Sequence, residues 1–259
     1  MAFTLAHPAA IMPLRRFRYL PTLALLVGSI VPDVPYYLPR RASTMIPVDL
    51  HTLFGALVAG IPLGMLILAL GLLLRRPLTA LMTERARWVS LGEADAFLSR
   101  PVNWLLAIPA VFIGCLTHIL WDGFTHADTW ITSHVSALNN QVDVLGLYTG
   151  PVSHILQYVT TVLGFLIIWY WYHVVAAEAP PEFATGPSRP RQRRALTLVI
   201  AGAVAMGIVL TVRAYHTFPT IYGVFYLMLT RTTAWFMLLY VVAGAMVLRT
   251  RRPQPQLES

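Results

Sequence analysis

Five long apolar blocks, of the kind that cross a lipid bilayer, dominate this 259-residue chain. A membrane-spanning helix needs about 20 mostly apolar residues. The bilayer core offers the backbone no water, so such blocks fold as helices. Only 12% of the residues are charged, about half the share found in soluble domains. The sequence therefore predicts an all-α, polytopic integral membrane protein with spans at Thr52–Leu74, Val102–Phe124, Val152–Ala177, Ala195–Leu210 and Tyr226–Leu248.

The N-terminal part of the chain predicts a further membrane element. A helix from Thr4 to Leu14, a turn at Arg15–Arg18 and a helix from Tyr19 to Val31 would form an antiparallel hairpin. At 1.5 Å per residue, His7 would rise roughly 12 Å from the turn and Asp33 roughly 22 Å, so His7 is expected below Asp33. A re-entrant segment is tolerated where protein buries it. We therefore expect a helical bundle of about six membrane segments.

The basic residues indicate the topology. All 19 are arginine, and they cluster beside the apolar blocks. By the positive-inside rule, loops 75–101 and 178–194 and both termini are predicted to be cytoplasmic. The loop 125–151 contains no arginine and is predicted to face the other side. Because topology accounts for the net charge of +8, we expect membrane lipid as a partner and no nucleic acid.

The predicted domain organisation is simple. Residues 1–252 are interpreted as one membrane domain, with a polar site formed by residues 1–160 and C-terminal spans within residues 195–248. Pro180–Pro190 reads as a polar, proline-rich linker, and residues 253–259 as a disordered tail.

One span contains an unusual set of ionisable residues, in the run GCLTHILWDGFTH from Gly114 to His126. His118, Asp122 and His126 recur every four residues and share one helix face. Such residues inside a membrane segment usually face a bundle interior, and they suit zinc and similar metals. His118 and Asp122 can reach one ion from adjacent turns. His126 lies about 12 Å along the axis from His118, so it would serve a second metal or the substrate.

The predicted topology places Asp33 and His51 on the outer side of the membrane. The polar residues of this span lie in its outer half, so the two sets are expected to be close together. Two or three imidazoles with one or two carboxylates favour a divalent metal, zinc first, with manganese or iron as alternatives. The same residues would also suit a proton relay or ion pathway, or a metal-stapled structural bundle without a reaction. Four other polar residues are interpreted as ordinary loop or interhelical residues: Asp128, His134, Asp143 and His154.

Several motifs resemble one bacterial membrane family, the domain of unknown function four-one-eight-four. They are FTLAHPA at Phe3–Ala9, GSIVPDVPYY at Gly28–Tyr37, His51–Thr52 ahead of Gly55, and THILWDGFTH at Thr117–His126. The resemblance covers most of the chain up to about Gly164. It implies a multi-span protein of the bacterial cytoplasmic membrane and supplies no assigned reaction.

The order of histidine, Pro-Asp, histidine and HxxxD is also similar to inner-membrane metal-dependent hydrolases and, more distantly, to zinc-dependent phospholipase C proteins. The location of the polar residues in the outer half of the membrane, open to lipid, favours a lipid or lipid-phosphate substrate, and we expect catalytic roles for Asp122 and His126. The similarity itself implies a metal-dependent hydrolase. It implies metal ligands at His7, Asp33, His51, His118 and Asp122, with His126 a further ligand or a substrate contact.

The chain departs from the hydrolase pattern at two places. Val34–Pro35 follow the Pro-Asp pair where the hydrolases have a second acid, and Tyr158 follows His154 where the phospholipases have a second carboxylate. We therefore expect one or two metals rather than three.

Overall fold

The computed structural model describes residues 4–17, 19–146, 148–180, 190–215 and 220–249. The α-helices are α1 (Thr22–Ile30), α2 (Val34–Tyr37), α3 (Arg40–Ser43), α4 (Leu53–Gly55), α5 (Ile61–Leu73), α6 (Arg75–Thr79), α7 (Glu84–Leu98), α8 (Val102–Thr125), α9 (Trp130–His134), α10 (Val152–Ala177), α11 (Pro190–Ala214) and α12 (Ile221–Arg249). Three 3-10 helices cover Thr4–Arg16, Val31–Asp33 and Ser136–Asn139, and a π-helical turn covers Ala56–Gly60. Two short strands, β1 (Gln141–Val144) and β2 (Tyr148–Pro151), form a hairpin.

Five helices in the described part of the chain are long and apolar enough to cross a membrane: Leu53–Leu73, Val102–Thr125, Val152–Ala177, Pro190–Ala214 and Gly223–Arg249. They match the five predicted blocks, and the largest difference is that α11 begins at Pro190 rather than Ala195. The prediction of an all-α, polytopic membrane bundle is confirmed. Residues 181–189 of the predicted linker and the predicted tail at 253–259 lie outside the described residues.

The N-terminal segment forms a 3-10 helix from Thr4 to Arg16 rather than an α-helix. Pro8 and Pro13 lie inside it, and neither can donate a backbone hydrogen bond. A 3-10 helix rises about 2.0 Å per residue, compared with 1.5 Å in an α-helix. The segment is therefore more extended than predicted, which carries His7 further from the turn. The N-terminal end of this segment contacts the 3-10 turn that follows α1, because the Thr4 hydroxyl donates to Asp33 Oδ2 at 2.5 Å.

Two glycines let α1 and α8 approach until their backbones touch. A Cβ atom added to Gly114 would lie 2.5 Å from the Leu25 carbonyl oxygen, and one added to Gly28 would overlap the Val111 carbonyl. Close approach through glycine is a common way for membrane helices to pack. This contact holds the polar C-terminal end of α1 against the middle of α8.

The chain divides into two compact units. The first comprises residues 1–35, 40–69 and 95–177, and it contains the α1–α8 contact. The second comprises residues 36–39, 70–94 and 178–259. Within the second unit Gly244 packs on the Pro77 carbonyl, and Gln192 Nε2 donates to the Ala80 carbonyl oxygen at 2.8 Å. The predicted single domain of residues 1–252 stays a prediction.

Candidate metal centre

Four ionisable side chains converge in the first unit: Asp33, His51, His118 and Asp122. Asp33 ends the 3-10 turn after α1, His51 precedes α4, and the other two lie one turn apart on α8. Each offers one nitrogen or oxygen atom, and these four atoms all lie within 4.8 Å of one another. The group could therefore hold a metal ion.

The distances between these atoms fit a metal's coordination sphere. His118 Nε2 lies 3.2 Å from Asp122 Oδ2 and 3.6 Å from Asp33 Oδ1. His51 Nε2 lies 3.3 Å from Asp33 Oδ1 and 3.7 Å from Asp122 Oδ2. Metal–ligand bonds of about 2.0–2.2 Å at tetrahedral angles place neighbouring ligand atoms roughly 3.3–3.6 Å apart. These four distances are therefore compatible with ligation of one divalent ion.

Two residues of the group are buried and the other two are partly exposed. His118 is 0% exposed and Asp33 is 1% exposed, whereas the side chains of His51 and Asp122 are 23% and 13% exposed. Two carboxylates out of water need a compensating cation. Among the described residues, histidines are the ion-pair partners of Asp33 and Asp122, and the Thr4 hydroxyl adds a neutral hydrogen bond to Asp33. A bound metal would supply further positive charge to both carboxylates.

The His118 ring is fixed so that one nitrogen faces the acids. Its Nδ1 lies 2.8 Å from the Ser29 carbonyl oxygen, which only accepts, so Nδ1 carries the proton and donates. Nε2, which faces the acids, is buried and meets no hydrogen-bond geometry in the described part of the chain, although Asp122 Oδ2 is only 3.2 Å away. Metal-binding histidines commonly donate one ring nitrogen to a carbonyl in this way, which orients the other nitrogen as a ligand.

His51 is oriented by a carboxylate outside the group of four. Its Nδ1 lies 3.3 Å from Asp49 Oδ1, and the same oxygen accepts the His51 backbone N–H at 2.9 Å. The next residue, Thr52, caps the start of α4 by accepting from Gly55 N at 3.0 Å. Asp49 thus holds the ring with Nε2 directed at Asp33 and Asp122. Sequence reasoning missed Asp49, although it lies only two residues before His51.

His7 contacts the group from another side and is not one of the four. Its Nε2 lies 3.0 Å from Asp122 Oδ1, and its ring stacks on that of His118 with 3.9 Å between ring centroids. Its Nδ1 lies 3.3 Å from the Thr4 carbonyl oxygen. Thr4 therefore touches both His7 and Asp33, and sequence reasoning missed it as well. Nothing in the sequence links residue 4 to residue 33.

His126 also lies beside the group without joining it. Its Nδ1 is 3.4 Å from Asp122 Oδ1, 3.3 Å from the Asp122 carbonyl oxygen and 3.2 Å from Thr125 Oγ1. Because the Thr125 hydroxyl donates to the Trp121 carbonyl, its oxygen is left to accept, and Nδ1 of His126 carries the proton. The side chain is 27% exposed, and no hydrogen bond to its Nε2 occurs in the described part of the chain.

Three of these groups lie outside the membrane-spanning helices and have shifted pKa values. Burial raises the pKa of Asp33, but the adjacent His118 and His51 rings outweigh it and hold that pKa below its usual range. Burial lowers the pKa of His51, and its bond to Asp33 more than reverses the effect, so the net shift is upward. For His126 burial dominates and lowers the pKa. The shifts of Asp33 and His51 reflect a mutual need for opposite charge.

The polar residues interpreted as ordinary lie elsewhere. His134 is exposed and stacks on Trp130, and His154 Nδ1 lies 3.2 Å from the Tyr148 hydroxyl. Asp143 accepts from Gly146 N at 2.6 Å within the β1–β2 turn. None of them belongs to the group of four.

Comparison with known protein families gives one match. The family model described as "Domain of unknown function (DUF4184)" matches residues 1–248, so the chain belongs to this family. Comparisons with curated proteins and with solved structures found no match.

Proposed function

We propose that this member of the DUF4184 family is a membrane-embedded, metal-dependent hydrolase that acts on a lipid or lipid-phosphate substrate. The observation that carries the proposal is the group Asp33, His51, His118 and Asp122, whose ligand atoms lie within 4.8 Å of one another. The proposal is supported further by His118 Nε2, which is buried, makes no hydrogen bond in the described part of the chain and faces both carboxylates.

Two imidazole nitrogens and two carboxylate oxygens form a donor set that favours zinc, with manganese or iron as alternatives. When bound, such a metal acts as a Lewis acid on a phosphoryl or acyl oxygen and on the attacking water. His7 holds Asp122 in place through its Oδ1, which leaves Oδ2 directed at the centre. Asp49 does the same for His51.

His126 is placed to move a proton. Its Nδ1–H is held by the Asp122 carbonyl and Thr125, so the free Nε2 of the partly exposed ring is the basic atom. We assign to it the acceptance of a proton from the attacking water and its return to the leaving group. In this proposal Asp122 is a ligand that also orients His126 through the 3.4 Å contact between its Oδ1 and His126 Nδ1.

Apolar side chains beside the site support a lipid substrate. Leu53 and Phe54, which follow His51, are each 65% exposed, and Phe124, close to Asp122, is 44% exposed. Acyl or prenyl chains can lie along such side chains while a phosphate head reaches the open half of the centre. The proposal places this opening on the outer side of the bacterial cytoplasmic membrane, with both termini cytoplasmic, as the arginine distribution predicts.

A proton or ion pathway fits the same residues less well. A pathway needs polar groups that continue across the membrane. On the N-terminal side of His118, the buried positions of α8 are all small or apolar: Ala107, Ala110, Val111, Gly114 and Cys115. A purely structural metal site usually has all four positions closed by protein, whereas His51 and Asp122 are partly exposed here.

The test is phosphate release from a defined lipid phosphate. Detergent-purified protein is offered zinc, manganese or iron and mixed with phosphatidate micelles, and inorganic phosphate is measured. We expect release that a chelator abolishes and added metal restores. His126→Gln should lose at least about tenfold in rate, given the 10²–10⁴-fold contribution typical of general acid–base catalysis.

The matched control is His134→Gln, which changes an exposed loop histidine and should retain the full rate. If metal-loaded protein binds its ion but releases no product from phosphatidate, polyprenyl phosphate or acyl esters, the hydrolase proposal is wrong. The centre would then be a structural metal site.

A further inference from the structure

The hairpin between α8 and α10 is amphipathic. Antiparallel pairing sets Val142 opposite Gly150 and Val144 opposite Tyr148. Because side chains alternate along a strand, these residues share one face, and the Tyr148 hydroxyl lies over Gly150. The other face carries Gln141, Asp143 and Thr149, together with Pro151, which pairs with Gln141. A short β-hairpin with one mainly apolar face and one mainly polar face is suited to an interface between lipid and water.

Several apolar residues of this loop are exposed in the described part of the chain. Leu145, at the tip of the hairpin, is 91% exposed, and Val142 and Val144 are 37% and 38% exposed. In the same loop Trp130 is 75% exposed. Apolar groups concentrated in one short segment usually mark a surface that contacts something else.

Leu145 also adopts a backbone conformation that leucine disfavours. Its φ is +56°, and Gly146 follows with φ +70°. Such left-handed turn positions normally take glycine or asparagine. No core packing explains a leucine there, because its side chain is almost fully exposed. An apolar tip is better explained by an apolar environment outside the protein.

We propose that the β1–β2 tip, centred on Leu145, inserts into the interfacial layer of the bilayer. The hairpin is continuous with a membrane-spanning helix, since β2 ends at Pro151 and α10 begins at Val152. Interfaces favour exposed aromatic and aliphatic residues such as Trp130. The loop contains no arginine and two acids, Asp128 and Asp143. Insertion therefore rests on apolar contact rather than on attraction to anionic headgroups.

The test is site-directed spin labelling in vesicles. The sole cysteine is replaced by Cys115→Ala, and single labels are placed at Leu145→Cys and Val144→Cys. Labels at Gln141→Cys and Thr149→Cys, on the polar face, are the matched controls. The full-length protein is reconstituted into vesicles of phosphatidylethanolamine and phosphatidylglycerol. Collision rates are measured with oxygen, which concentrates in lipid, and with a water-soluble nickel chelate.

We expect labels at 144 and 145 to collide more with oxygen and less with nickel than labels at 141 and 149. The difference should persist in pure phosphatidylcholine, because no basic residue in the loop is involved. Equal nickel accessibility at all four positions would overturn the proposal. So would loss of access to both reagents with spin–spin broadening, because a second copy of the chain would then cover the tip.

Discussion

The two compact units have similar apolar compositions but differ in the polar groups that they bury. Buried positions of the first unit include the ionisable residues His7, Asp33 and His118. Among the described residues of the second unit, the buried polar residues are all neutral: Thr79, Gln192, Thr211 and Thr230. The second unit therefore follows the usual rule that membrane helices bury few ionisable residues, and the first unit departs from it.

The difference teaches how to separate packing groups from functional groups. In the second unit, Thr230 donates to the Tyr226 carbonyl at 2.9 Å and Thr79 donates to the Arg75 carbonyl at 2.8 Å. Each is satisfied by its own helix, as polar residues in membrane helices usually are. Asp33 and Asp122 instead share the His51 and His118 rings as ion-pair partners, and His118 Nε2 makes no hydrogen bond in the described part of the chain. This arrangement could hold a metal ion.

The largest expected effect comes from removing a shared ligand. Asp122→Asn keeps the size of the side chain but removes the charge that contacts His118, His51, His7 and His126. We expect metal affinity to fall by more than about 100-fold, beyond the 10–100-fold typical of outer-shell changes. Isothermal titration with zinc measures it. Asp128→Asn is the control, because asparagine tolerates the positive φ at that position. Unchanged affinity in Asp122→Asn would remove the distinction between the units.

A second change acts on the helix contact that supports the site. Gly114→Val would push side-chain atoms into the Leu25 carbonyl and Gly28, because even a Cβ would lie 2.5 Å from that oxygen. Overpacking of this kind typically costs about 1–3 kcal/mol. We expect a lower melting temperature together with weaker zinc binding, since α1 carries Ser29 and leads to Asp33.

Its control is Gly92→Ala in the second unit, where nothing lies within 4 Å of an added Cβ. Alanine should be neutral or stabilising there, by about 0.5–1 kcal/mol. If both variants bind zinc as the wild type does, the α1–α8 contact does not set the site geometry.

A smaller effect is expected from Asp49→Asn. The amide loses the charge that orients His51 but keeps a similar shape, so zinc affinity should fall roughly 10-fold, the lower end for an outer-shell carboxylate. Thermal stability should change little, since Asp49 is largely exposed. Titration and a melting curve on the same sample separate the two effects. A drop in stability without a drop in affinity would mean that Asp49 only supports the start of α4.

The smallest effect is expected in the second unit. Thr230→Val replaces a hydroxyl that bonds its own helix, so it should leave metal affinity unchanged and alter stability by no more than about 1 kcal/mol. Gln192→Leu should cost about 1–3 kcal/mol, because it removes the buried bond to the Ala80 carbonyl. Altered zinc binding in Thr230→Val would contradict the assignment of all ligands to the first unit.

Much of this architecture could be predicted because hydropathy is a local property. Five spans follow from runs of apolar residues, and helical spacing places His118 and Asp122 on one face. The 3-10 form of Thr4–Arg16 could not be predicted, since two prolines are compatible with several conformations. The orientation of the His118 ring and the link from Thr4 to Asp33 also depend on how separate elements pack, which spacing along the sequence does not reveal.

The six predicted ligands show the same limit. Four of them gather around one point, whereas His7 and His126 meet Asp122 at its other oxygen. Sequence reasoning placed five of them towards one side of the membrane and His7 nearer the middle of the bilayer. It could not distinguish a metal ligand from a residue that orients a ligand. The two differ only by about 1–2 Å in the position of their side-chain atoms.

The most direct test of the central claim is the metal content of the detergent-purified wild-type protein, determined by mass spectrometry beside His118→Ala. The account predicts a stoichiometric divalent metal in the wild type and loss of most of it in His118→Ala, with the variant still folded by circular dichroism. Wild-type protein that is purified without chelator, offered zinc, manganese and iron, and still carries no metal would contradict it.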